Sequence, residues 1–418
     1  MIGVMVKQAR CSFRFLRGEE TSMSRRPDRK APSRASSRKA AARTPSASGA
    51  GAARKGPPSS TMISAADLDD IAVGGAILGT GGGGDPYIGK LMAQRAIQKH
   101  GAVRMIDLKD VDDDALVVPC AMMGAPTVMV EKIPEGGEIL VAFRKLQAFL
   151  GRKIGAILCA EAGGLNSTIP FAIGAMTGLP VIDGDGMGRA YPELQMVTFT
   201  LHGVSATPMV IVDDKGNSVL LECIDNRWTE RLARSATIEM GGSVLITLYP
   251  MSGATAKKSS VGGTLTLARR LGEILRESRL AHADAIAAIQ SKLNAQTIFE
   301  GRVIDIARRT EPGFARGDAK FDGLGAYRGR SYRIAFQNEF LIAERDGKPL
   351  VTTPDLITLL DADTGAPITT ETIRYGLRVV AIAIPCAPQW RTAAGLKLVG
   401  PRYFGYDVDY RPFDPSTP

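Results

Sequence analysis

CAEAGGLNSTIPFAIGAMTGLPVIDGDGMGRAYPELQ, residues 159–195, is the stretch on which the fold of this 418-residue chain turns. Two short apolar runs, 154–159 and 179–182, have the length and β-branched content of buried strands. Each runs straight into a glycine-rich loop carrying acids, Glu161-Ala-Gly163-Gly164-Leu-Asn166 and Asp183-Gly-Asp185-Gly-Met-Gly-Arg189. Between them 169–177 has the length of a short helix, with Pro170 near its start and Gly178 closing it. A strand–loop–helix–strand–loop order predicts a parallel sheet with both loops at the strands' carboxyl ends, where open α/β sheets bind ligands.

Working outward, Ser64 and Asp67 form a capping pattern ahead of a helix over 68–78 that ends in Gly79-Thr-Gly81-Gly82-Gly83-Gly84. Asp85-Pro86 then opens a second helix over 87–99. Strands are expected at 103–107, 115–118, 197–201, 209–212 and 218–224, and a helix at 138–150. Helical periodicity returns at 265–279 and 281–293. Beyond Gln296, strands at 299–306, 331–336, 339–345, 355–360 and 377–384 alternate with turns such as Asp346-Gly347. The expected fold class is therefore α/β: a three-layer N-terminal domain with a mainly parallel sheet over 62–232, then a C-terminal domain over 233–418. The latter has a helical linker at 262–295 before a β-rich barrel or sandwich.

A net charge of +9 looks like a nucleic-acid footprint until it is divided. Residues 1–61 carry 14 Lys/Arg against 3 Asp/Glu, which leaves 38 against 40 in the remaining 357. The basicity thus belongs to an Arg/Ser/Ala/Pro-rich tail expected to be disordered, and the body is expected to bind no nucleic acid. Five scattered cysteines with no CxxC pair fit a reducing, cytoplasmic setting. No uninterrupted apolar run approaches a membrane span, so no membrane partner is expected.

The acids of the two central loops, with Glu193 just beyond, form a constellation. Carboxylates sharing a pocket push one another's pKa values apart, which suits a base and an acid. Equally they could ligate one divalent metal such as zinc, with His202 or Cys159 as further donors; three histidines in all exclude a polyhistidine site. The residues leave the metal open. No nucleotide cofactor is expected: GTGGGG formally matches a dinucleotide fingerprint but follows a helix rather than a strand, and it lacks the Lys-Ser/Thr of a P-loop. Its glycines still let backbone approach a ligand closely, and Asp85 opens a helix whose N–H groups favour negative charge.

LGTGGGGDPY at 78–87, EAGGLNS at 161–167, GLPVIDGDGMGRAYPELQM at 178–196 and GPRYFG at 400–405 together resemble the S-methyl thiohydantoin desulfurase family, over about residues 62–410. That resemblance implies a small hydantoin-like substrate and hydrolysis of a C–S bond during ergothioneine breakdown. Mapped onto the loops, Asp183 or Asp185 would activate water, and Glu161 or His202 would donate a proton. Asn166 and the N–H groups of Gly81 to Gly84 would steady charge on the ring, with Asp85, Gly163, Gly164 and Glu193 lining the site. Arg189 would hold a substrate carboxylate. A ring-opening hydantoin or oxoproline-type amidohydrolase and a non-catalytic small-molecule binder stand as alternatives, and a homo-oligomer is compatible with either.

Overall fold

The computed structural model describes residues 60–124, 128, 137–311 and 313–414. The tail expected over 1–61 lies outside these, except for Ser60 and Thr61, which begin the first strand. One sheet is built from β1 (Ser60–Ile63), β2 (Val103–Asp107), β3 (Leu116–Gly124), β4 (Ala156–Cys159), β5 (Val181–Asp185), β6 (Met209–Val212), β7 (Ser218–Leu221) and β8 (Ser243–Thr247). Their order is β1-β2-β5-β4-β3-β8-β6-β7. The centre, β2-β5-β4-β3, is parallel, as the central stretch predicts. Antiparallel strands flank it on both sides.

Both faces of this sheet are covered, and the side-chain period of two shows how. In β3, Val117, Ala121 and Met123 enter one core cluster, whereas Leu116, Val118, Cys120 and Met122 enter the other. In β4, Ala156 and Leu158 divide from Ile157 and Cys159 in the same way. A strand buried on both faces reads as an unbroken apolar run, which is how β4 and β5 are legible in the sequence. The helices Asp67–Leu78 and Thr264–Leu280 cross at glycines: a Cβ on Gly74 would sit 1.8 Å from the Ala268 carbonyl oxygen, and one on Gly272 would sit 2.1 Å from that of Asp70.

The C-terminal part carries an antiparallel eight-stranded sheet: β11 (Gln296–Glu311), β12 (Phe314–Gly323), β13 (Ser331–Gln337), β14 (Glu339–Arg345), β15 (Lys348–Thr352), β16 (Leu356–Asp361), β17 (Pro367–Ile368) and β18 (Arg378–Ile384), the short β9 (Met251–Ser252) and β10 (Val261–Gly262) having joined the first sheet. Strand β18 is again buried on both sides. Val380, Ile382 and Ile384 pack toward the first sheet's core, and Val379, Ala381 and Ala383 into the second sheet's own.

Four local expectations change. Residues Thr198–Leu201 form a helical turn, not a strand, because Thr198 donates its N–H to the Gly186 carbonyl at 2.6 Å and folds the chain back over the loop after β5. The expected strand at 115–118 runs on to Gly124 as β3. The last helix before β11 begins at Ala285, after a turn in which His282 has φ +51°. The helices Asn226–Glu239, Gly253–Ser259 and Ala393–Val399 and strands β1, β8, β12 and β15, with the two-residue strands β9, β10 and β17, were not foreseen.

Candidate active site

The carboxyl ends of β3, β4 and β5 open into one pocket. Ala121 to Gly124 of β3, Ala160 and Glu161 after β4, and Met187 and Tyr191 after β5 line it. Glu193, Leu194, Arg234, Tyr249, Asn338, Glu339, Gly83, Gly84 and Asn166 line it as well. The walls are mostly apolar with a few converging polar groups, the usual make-up of a small-molecule site.

Glu161 is buried, and its Oε1 accepts from the Asn166 amide. Asn166 is itself locked: its Oδ1 takes the Met122 N–H at 2.7 Å and its Nδ2 reaches the Met122 carbonyl at 3.3 Å. An amide that satisfies a strand-end peptide on one side thereby presents an oriented donor to the carboxylate on the other. Glu161 Oε2 has no partner. Burial pushes the Glu161 carboxyl up to about 8, with the charge of Asp185 adding to the shift and the Asn166 amide opposing it.

Glu339, the first residue of β14, brings a second carboxyl to the same pocket from the C-terminal sheet. Its Oε1 accepts the Gly83 N–H at 3.3 Å, and its Oε2 is also buried without a partner. Burial first, then the nearby Glu161 charge, hold it well above the usual carboxylate range. The glycine run explains the close fit. Gly81 abuts the Phe340 ring, a Cβ on Gly82 would lie 2.2 Å from Glu339 Oε1, and Gly83 and Gly84 line the pocket. The run cradles a glutamate of its own chain.

The other expected residues fall in three places. Asp185 is fully buried behind the pocket, where it accepts N–H bonds from Ala162 (2.8 Å), Met187 (3.1 Å) and Gly188 (2.9 Å). It ties the loop after β4 to the loop after β5, and burial raises its carboxyl to about 7 against the pull of those amides. Arg189 is fully buried with all five N–H groups committed: to Ala190 O, Pro354 O, Asp355 O, Thr80 Oγ1 and Phe340 O. It stacks 4.4 Å from the Tyr191 ring and clasps the two sheets together, so it has no donor left for a substrate carboxylate. Gly163 and Gly164 pack against Ala190 and the Gly83–Gly84 backbone.

Asp183 and His202 stand apart. Asp183 accepts the N–H groups of Leu265 and Thr266 at 3.0 Å each and so caps the helix Thr264–Leu280. His202 is exposed at the end of the helical turn. Neither lines the pocket. Asp85 accepts the Tyr87 N–H at 2.9 Å and caps its own helix. Cys159 donates to the Glu161 and Asn166 carbonyls at 2.7 and 3.1 Å, and burial keeps its thiol strongly protonated. Among the described residues no group of three or more His, Cys, Asp or Glu converges on a metal-binding position, so the mixed donor set considered from the sequence is not assembled there.

Three residues at or beside the pocket were not among the expected site residues. Glu339 sits in no motif. Arg234 comes from the unforeseen helix, bonded through Nε to Glu230 at 2.7 Å. Tyr403, inside GPRYFG, donates to Glu193 Oε2 at 2.6 Å, while Gln195 bonds the same oxygen. Burial and the Glu193 acceptor push the Tyr403 phenol up, keeping it a donor. The GPRYFG string was the one available signal.

A two-sheet α/β protein with two half-partnered glutamates facing one buried pocket at the strand ends is the class these features define. Residues 66–223 match the N-terminal domain, and 224–413 the C-terminal domain, of the S-Me-THD-like proteins, and the chain belongs to this S-methyl thiohydantoin desulfurase family. No curated protein matches it. A crystal structure of a protein from Chromobacterium violaceum is 24% identical, with a TM-score of 0.66 over 85% of this chain and all of that one. That likeness shows the shared fold. No helix among the described residues is long and apolar enough to cross a membrane.

Proposed function

We propose that the protein is a hydrolase that cleaves the C–S bond of an S-methyl thiohydantoin, or a close ring analogue, releasing methanethiol and leaving the hydantoin carbonyl. Family membership supports the ring class. The observation that carries the reaction is the pair Glu161 and Glu339, two buried carboxyls on one pocket with an unpartnered oxygen each. Neighbouring buried carboxyls do not both ionise cheaply, so the pair retains a proton and supplies an acid and a base together.

Glu161, raised only to about 8 and steadied by the Asn166 amide, is the base. Glu339, held up further by burial and by the charge of Glu161, is the acid. Glu161 takes one proton from water as the oxygen bonds to the ring carbon bearing sulfur, and Glu339 protonates the ring nitrogen as the C=N electrons move onto it. The roles then reverse. Glu339 takes the remaining hydroxyl proton as the C=O forms and the C–S bond breaks, and Glu161 returns its proton to the departing thiolate. Both protons of water are accounted for, one on nitrogen and one on sulfur. The cytoplasm is the compartment we assign, which the free thiols of Cys120, Cys159, Cys223 and Cys386 support.

Thiol release from a synthetic S-methyl thiohydantoin, with and without a chelator, tests this reading. Chelator-resistant release is expected, falling by about 10² to 10⁴ in Glu161→Gln and in Glu339→Gln. Near-normal turnover in either variant sinks the assignment. Ring opening without thiol release moves the protein to the amidohydrolase alternative.

A further inference from the structure

We infer that Asn338 recognises the substrate: its side-chain amide donates to the ring carbonyl next to the nitrogen that Glu339 serves, so the pocket selects five-membered rings with an amide edge. This rests on the proposed ring class but not on the C–S chemistry. The observation that carries it is that two consecutive residues, Asn338 and Glu339, line one pocket. Side chains alternate faces along a strand, so direct neighbours do not ordinarily share a site. Here the alternation is broken. Strand β13 ends at Gln337 and β14 begins at Glu339, and these two pair across the single residue between them. That residue has φ +57°, in the left-handed region where asparagine is among the few side chains tolerated.

Asn338 is buried and held in one orientation. Its Oδ1 accepts the Ala315 N–H at 2.8 Å, and its own N–H returns a bond to the Ala315 carbonyl at 2.7 Å. Its carbonyl takes the Thr370 hydroxyl at 2.8 Å, and that hydroxyl also reaches the Gly81 carbonyl at 3.0 Å. An amide whose oxygen is taken by a peptide N–H turns its NH2 away from that peptide. Asn166 is locked in the same way by Met122, and its NH2 is spent on Glu161. The Asn338 NH2 is committed to no described residue and stands beside Glu339, whose Oε2 is likewise unpartnered. An S-methyl thiohydantoin offers the matching edge, a carbonyl oxygen next to an imine nitrogen, both acceptors. Asn338 donates to the oxygen and the Glu339 carboxyl to the nitrogen. A ring with CH2 in place of the carbonyl leaves the buried amide unpaired, which a site built around that bond penalises.

The test uses two ring pairs that differ only in that carbonyl. Calorimetry compares the binding of hydantoin and 2-imidazolidinone, and thiol release compares an unsubstituted S-methyl thiohydantoin with 2-methylthio-2-imidazoline. Wild type should bind hydantoin about tenfold or more tighter than 2-imidazolidinone. Asn338→Gly keeps the left-handed backbone, and Asn338→Asp keeps the acceptor for Ala315. In both, the carbonyl preference in binding and the ratio of the two kcat/KM values should fall by about tenfold, the intrinsic reactivities of the rings cancelling in that comparison. A merely structural defect lowers both members of a pair alike, so ratios untouched in a folded variant overturn the inference. Hydantoin bound no tighter than 2-imidazolidinone by wild type overturns it whatever the variants do. If no ring releases thiol, the C–S reaction falls and the binding pair alone decides: a hydantoin preference lost in the variants sustains Asn338, and binding of neither ring ends its assignment.

Discussion

Replacing Arg189 with Met separates a structural clasp from a substrate clamp. The wild-type side chain is fully buried and satisfies four backbone carbonyls and the Thr80 hydroxyl. Met fills similar volume but orphans those acceptors, each worth about 1–3 kcal/mol if left unmet, while the cost of burying a cation is recovered. The balance is a loss of about 3–5 kcal/mol, in line with breaking a buried ionic network. For a chain of this size the unfolding entropy is on the order of 0.7 kcal/mol/K, so the melting temperature should drop by about 4–7 °C. Arg189→Lys keeps the charge but not the planar fork and should lose at least half as much. Differential scanning calorimetry and steady-state thiol release on the same preparations give both readouts. A melting temperature within about 1 °C of wild type, together with a raised KM, would refute the clasp and restore the arginine to the substrate.

Glu161 makes a pH prediction whose sign follows from burial. Its folded value of about 8 lies above the ordinary 4.5, so its contribution to stability is complete below about 4.5 and is lost as pH rises through about 8. The wild-type melting temperature should therefore fall relative to that of Glu161→Gln between pH 5 and 8, and parallel curves would count against a protonated Glu161; kcat/KM, needing the base, should climb toward pH 8 instead. Gly82→Ala pushes a methyl to 2.2 Å from Glu339 Oε1 and should cut turnover at least about tenfold by displacing the acid, a loss absent if Glu339 has no role. Asp183→Asn should weaken the cap on Thr264–Leu280 by about 1 kcal/mol in denaturant titrations yet leave thiol release within about twofold. His202→Ala, at an exposed position, should change neither.

The parallel centre of the first sheet was legible because β4 and β5 are short, apolar and punctuated by glycine, and strands spaced by turns such as Asp346-Gly347 marked the second sheet. Side-chain destination was not. DGDG announces two acids at a strand end, but Asp is equally suited to capping, and only the packing of Thr264–Leu280 against β5 decides that Asp183 caps while Asp185 sutures two loops. VTFTL has the β-branched content of a strand, and tertiary hydrogen bonding to Gly186 turned it into a helical turn. Glu339 was out of reach because its partner Glu161 lies in another domain of the chain, and no spacing rule links carboxyls that meet only after two sheets dock. The sequence marks the glycine run as a cradle for a ligand; Gly83 and Gly84 line the pocket, and Gly81, Gly82 and Gly83 also make room for Phe340, Glu339 and the loop after β4.

That meeting of Glu161 with Glu339 also sets a clock on biosynthesis. Glu161 leaves the ribosome long before Glu339 does, so the desolvated pair exists only once β14 has docked against the glycine loop. Reactivity would then arrive in one step, when β14 is threaded against the glycine loop. A chain truncated ahead of it would be inert toward any ring that needs both protons moved.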